Sequence, residues 1–138
     1  DTRPASSMNE SSNESPSEHP IITGLICEKN VDRTSANLLN YCLSAQLLGE
    51  GKNKLTKLHI FREYGDTTKS IITFSMRDAL ITASQINPSS GDRLIEQFSL
   101  NFTEILWHYT LKNADGETLN EGSAGWSHIQ NRAIAQFT

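Results

Sequence analysis

Four histidines, two cysteines and a few carboxylates on strand-like stretches are the residues that could do chemistry in this chain. His19, His59, His108 and His128 do not stand at metal-ligand spacing from one another or from a Cys or acid. His59 and His108 fall where neighbouring apolar residues take the other parity, so both are expected on an outer face. Asp92 with Glu96, and Glu63 with Glu104, are carboxylates that strand pairing could bring together for acid–base work. On a chain of net charge −4 the expectation is that they are solvated instead. Ser123 precedes Ala124-Gly125, but Glu121 stands where a nucleophile elbow needs glycine. The eight glycines are scattered through turns and form no phosphate-cradling loop. Trp107 and Trp126 read as core aromatics, with a sugar-stacking platform as the alternative. No catalytic, cofactor-binding or metal residue is assigned, and the chain is not expected to be an enzyme.

Cys27 and Cys42 sit in apolar patterns and read as buried free thiols, with a bridge between them as the alternative. Among 138 residues the balance of charge is acidic, without a basic block, which argues against nucleic acid. No apolar run reaches the ~18 residues a membrane span requires. Residues 1–18 are rich in Ser, Asn, Glu and Pro, and the expectation is a mobile arm followed by one domain over residues 19–138. The first residues carry no signal-peptide pattern. The glycosylation acceptor patterns at Asn9, Asn13 and Asn101 are accordingly read as chance matches.

The elements that must position these residues are mostly strands. Asp92 to Tyr109 reads as one long strand. Phe98, Leu100 and Phe102 alternate with polar residues, then Ile105, Trp107 and Tyr109 carry the bulk at the opposite parity. A strand changes its buried face only at a kink, so a β-bulge is placed near Thr103–Glu104, and the strand is expected to serve two layers. His19 to Cys27 reads as a strand, with Gly24 at a bulge or close approach. One helix is expected over about residues 34–48, capped by Asp32, Thr34 or Ser35 and ended by Gly49. Its stripe of Leu38, Leu39, Cys42, Leu43 and Leu47 is narrow, so it should lie against a β layer. Leu55–Tyr64 and Ser70–Ile86 read as strands around a hairpin loop at Gly65–Thr68, with a helix at Met76–Ala83 as the disfavoured alternative. Asn87–Gly91 reads as a loop, Asn113–Gly116 as a turn and Glu117–Asn120 as a short return, with Trp126 and Ile129 as anchors of the last segment.

Several of these stretches resemble the haemolysin-coregulated protein (Hcp) family, the tube subunit of bacterial type VI secretion systems. The resemblance is carried by Gly91–Phe102 with Ile105 and Tyr109, and by Val31-Asp32-Arg33-Thr34-Ser35-Ala36-Asn37-Leu38-Leu39. It also rests on His19–Thr23, on Leu58–Tyr64 with Ile71–Thr82, and on Ala124-Gly125-Trp126 followed by Gln130-Asn131. Ala36 stands where the family usually has Pro, a harmless exchange early in a helix. The resemblance implies a mainly β scaffold, an antiparallel β-barrel or two-sheet structure with one flanking helix. It implies two further strands upstream, so the domain is expected to be incomplete on its N-terminal side. It also implies hexameric rings that stack into a tube, partners in a spike protein and effector cargo, and residence in the bacterial cytoplasm before export. The alternative is a stand-alone β module for a glycan or protein, using Trp107 or Trp126.

Overall fold

A computed structural model describes residues 24–65 and 67–138. The arm expected over residues 1–18, His19, the strand start at His19–Thr23 and the patterns at Asn9 and Asn13 lie outside the described residues. The elements run β1 (Leu25–Asn30), α1 (Ser35–Leu43), β2 (Thr56–Glu63), β3 (Lys69–Arg77), β4 (Leu80–Ser90), β5 (Arg93–Asn101), β6 (Glu104–Lys112), β7 (Thr118–Ser127) and β8 (Arg132–Ala133). They form a three-stranded sheet, order β1-β5-β4, and a five-stranded sheet, order β2-β3-β6-β7-β8, with every pairing antiparallel. The fold is mainly β with one helix, as expected. The two sheets are not closed into a barrel among the described residues.

The long strand expected over Asp92–Tyr109 is two strands in different sheets. β5 ends at Asn101, the chain turns at Phe102–Thr103, and β6 starts at Glu104. The parity reversal was real, and it marks a crossing between sheets rather than a bulge in one strand. The continuous strand expected over Ser70–Ile86 breaks in the same way. Met76 is buried near the end of β3, and Ala79, just before β4, and Ile81, within it, are buried at the other parity. Asp78 makes that corner with φ 55°, a left-handed conformation that Asp tolerates better than most residues. The two corners are bonded to each other. Thr103 N–H donates to the Arg77 carbonyl at 2.9 Å, and the Thr103 hydroxyl lies 3.1 Å from both that carbonyl and Asp78 Oδ2.

The core collects where the sheets meet: Met76, Ala79, Ile81, Phe98, Leu100, Phe102 and Ile105. α1 rests against it through Leu38, Tyr41 and Cys42 and leaves Leu39 and Leu43 exposed, in keeping with its narrow stripe. The helix is shorter than expected because it stops at Leu43, not at Gly49. Gln46 N–H donates to the Tyr41 carbonyl and Ala45 N–H to the Cys42 carbonyl, both at 3.2 Å, which is the Schellman arrangement. Ala45 fills the left-handed position, φ 53°, that glycine usually takes. Three smaller expectations also change. Asn87 to Ser90 belong to β4 rather than to a loop. The short return after the Asn113–Gly116 turn is the start of β7, which continues to Ser127. Ile129 is 57% exposed and anchors nothing, whereas Ile134 is buried. Gly24 makes the close approach expected of it: a Cβ there would lie 2.6 Å from Asn101 Oδ1.

Candidate functional site

The carboxylates expected in solvent divide sharply. Asp92 and Glu63 are exposed, and neither meets the partner considered for it. Glu104 and Glu96 are buried, at 0% and 3% exposure. Glu104 opens β6 directly opposite Arg77 of β3 and Ser127 of β7. Arg77 Nη1 donates to Glu104 Oε1 at 3.1 Å, as does Thr138 N–H at 3.1 Å, and the Thr138 hydroxyl donates to Oε2 at 2.5 Å. Burial alone would push this carboxyl up. Donors from the Ser127 hydroxyl, the Thr138 hydroxyl and backbone, and Arg77 overcome it and hold the pKa at about 2. A carboxylate saturated by fixed donors is a joint between chain segments, not a proton carrier poised near neutrality.

Glu96 makes a second joint, between β5, β1 and the start of α1. Lys29 Nζ lies 2.8 Å from Glu96 Oε2 and 2.9 Å from Asp32 Oδ1, and the Ser35 hydroxyl donates to Glu96 Oε2. Asp32 also accepts from the Thr34 hydroxyl and backbone N–H, at 2.6 and 2.8 Å. Thr34 first, then Lys29, hold the Asp32 carboxyl at about 2. Glu96 and Asp32 keep the Lys29 ammonium above its ordinary range against the opposing effect of desolvation. Sequence parity contained a signal for Glu96, because it alternates in step with Phe98 and Leu100 on the buried face. Glu104 carried no such signal. It shares the parity of exposed His108, and it is buried by a segment more than thirty residues away in sequence.

The remaining candidates stay apart. His59 and His108 lie on the surface as expected, flanking Thr73 across three strands. His59 Nδ1 is 3.0 Å from Thr73 Oγ1, and His108 Nε2 is 3.6 Å from Glu121 Oε2. His128 stacks on Phe102 at 5.6 Å. Among the described residues no group of three or more His, Cys, Asp or Glu is arranged to hold a metal ion. Cys27 and Cys42 are free and half-buried, and burial pushes the Cys27 thiol up. Trp107 and Trp126 are half-buried, Trp126 against the core and Trp107 in a parallel pair with Tyr109 at 6.2 Å. Among the described residues no helix is long and apolar enough to cross a membrane.

Unpaired backbone, rather than converging side chains, is what the surface offers. The five-stranded sheet ends on one side at β2, whose outer edge no described strand covers. That edge carries Phe61 at 68% and Ile60 at 48% exposure, together with Tyr64. On the other side β7 is capped by β8 only at Trp126 and Ser127. Open edges with exposed apolar residues are a hazard unless they are used for association.

Architecture and surface together define a class: a two-sheet β scaffold with one flanking helix and, among the described residues, with uncovered sheet edges. Residues 2–109 match the family described as "Type VI secretion system effector, Hcp". That match spans most of the sequence, and the chain belongs to the Hcp family. Protein hcp1 of Pseudomonas aeruginosa is 27% identical over 107 residues, covering 75% of this chain but 62% of its own length. The chain therefore spans less than two thirds of that relative. Two solved structures share the fold. One, of a type six secretion system protein, aligns with TM-score 0.68 and 21% identity over 92% of this chain and 76% of the other. Hcp1 from Salmonella typhimurium aligns with TM-score 0.64 and 18% identity over 85% and 76%.

Proposed function

We propose that this chain is a structural subunit of a type VI secretion tube. Copies join into hexameric rings, the rings stack, and the tube is exported from the cytoplasm with a spike protein at its tip and effector cargo in its lumen. The assembling unit is the single domain expected over residues 19–138. The observation that carries this reading is the pair of unlike edges, β2 and the Thr118–Ala124 part of β7, that no described strand covers on opposite sides of one sheet. A contact between two different patches of identical copies is heterologous, and such contacts close into rings when the rotation fits. Added strands gain backbone hydrogen bonds that the isolated subunit leaves to water. Family membership points the same way. Native mass measurement of the intact natural protein tests it. A hexamer is expected, and a strict monomer at high concentration would contradict it.

A second reading, a β module that binds a glycan or protein, draws on the parallel Trp107–Tyr109 pair. Fluorescence quenching separates the two: a small solute that reaches both indoles readily favours the binding module, and shielded indoles favour the tube.

A further inference from the structure

After β8 the chain leaves its sheet and crosses one face of it. Ile134 N–H donates to the Gly125 carbonyl of β7 at 3.2 Å, and the Ile134 side chain is buried. A Cβ at Gly125 would lie 2.5 Å from the Ile134 carbonyl oxygen and 2.6 Å from Leu106 Cδ2, so only glycine admits the crossing. Further on, Thr138 N–H donates to Glu104 Oε1 of β6 at 3.1 Å, and its hydroxyl donates to Oε2 at 2.5 Å. Arg77 Nη1 of β3 donates to the Thr138 backbone oxygen at 2.8 Å. Gly125 stands opposite Leu106, and Arg77 and Ser127 stand opposite Glu104, so these five positions share one face of the sheet. Ile105, of the other parity, joins the core on the opposite face. Residues 134–138 thus lie on the face away from the core and close over Glu104.

Both ends of this segment are fastened and its middle is not. Among the described residues no hydrogen bond involves Ala135, Gln136 or Phe137, and Ala135 and Gln136 are exposed. A cleft of about 390 Å³ lies between Ile134 with Ala135 and Ser75, His108 and Ser123, so one flank of the segment is unpacked. Neither Ile134 nor Phe137 packs against the core cluster. A segment with so few apolar contacts and hydrogen bonds can open without the elements beneath it. We propose that residues 134–138 form a strap that opens and closes as one unit over the Arg77–Glu104 pair while both sheets stay folded. Ala133 is the hinge, because β8 stays paired with Trp126 and Ser127. Glu104 is the catch, because its carboxylate takes two of the hydrogen bonds that hold the far end. Closed, the strap hides a carboxylate of 0% exposure. Open, it bares Glu104, the Arg77 guanidinium and Leu106, so the same fold presents two surfaces of different chemistry. The inference does not depend on self-assembly.

Amide exchange of the intact protein, followed residue by residue, tests the strap. Ile134 and Thr138 should be protected to the same degree, and less than the amides of β3 and β5. Glu104→Gln should quicken both about ten- to a hundredfold, the range for losing hydrogen bonds to a charged acceptor, while β3 and β5 stay protected. Thr138→Val removes the hydroxyl at the far end and keeps the side chain's shape. It should quicken Ile134 about tenfold, although the bond of Ile134 to Gly125 is untouched. Ile134→Ala loosens the near end and should quicken Thr138 in the same proportion as residue 134 itself. Strap amides as protected as those of β3 would overturn the separate opening. An Ile134 amide indifferent to Thr138→Val would overturn the single unit, because the two ends would then detach independently. Thr138→Val carries the test if Glu104→Gln does not fold.

Discussion

Replacing Glu104 with Gln keeps shape and volume and removes one charge at the joint of β3, β6, β7 and Thr138. The amide offers one acceptor where the carboxylate offers two, and it leaves the Arg77 guanidinium without its anion. Breaking a buried ion pair from one side costs about 3–5 kcal/mol when the orphaned partner has no access to water. Arg77 is 21% exposed and lies 3.8 Å from Asp78, so solvent and a weaker partner offset part of that. The expected loss is about 2 kcal/mol, or about 8 °C in Tm for a domain of this size. The pH dependence identifies the cause. Glu104 titrates at about 2 in the folded chain, below its ordinary 4.5, so its contribution is complete above about pH 4.5 and is lost as pH falls toward 2. Urea unfolding of both proteins from pH 7 to pH 2.5 should show a gap that narrows steadily below pH 4.5. A gap that stays constant over that range, or no gap at pH 7, would refute the charge-based account.

Lys29→Met leaves Glu96 buried without its cation. The expected loss is about 2 kcal/mol by urea unfolding at pH 7, less than for a fully enclosed pair because Lys29 is 28% exposed. Ala45→Gly relieves a left-handed alanine at the end of α1 and should gain about 1 kcal/mol, read as a Tm about 4 °C higher.

The two-sheet plan was legible because large side chains change parity between Phe102 and Ile105, which a single buried face forbids. The matching corner at Asp78 was hidden. Ala79 is too small to announce a buried position, and Leu80 beside Ile81 blurs the alternation. The end of α1 was missed because nothing in an alanine predicts a left-handed backbone, which here follows from the two hydrogen bonds that close the helix. Glu96 could have been found from its step with Phe98 and Leu100. Glu104 could not, since its burial depends on Thr138 returning across the sheet. Open edges are a property of sheet order, and a single strand's pattern does not reveal which neighbours it lacks.

Mixing two blocked copies tests most directly whether the chain works by joining unlike edges. Phe61→Lys places a charge on the β2 edge, and Ser123→Lys places one on the β7 edge, both at exposed positions. Each variant alone should sediment as a monomer, and an equimolar mixture should form dimers, because one intact β2 then meets one intact β7. Rings that persist in either variant alone, or a mixture that stays monomeric, would contradict the account.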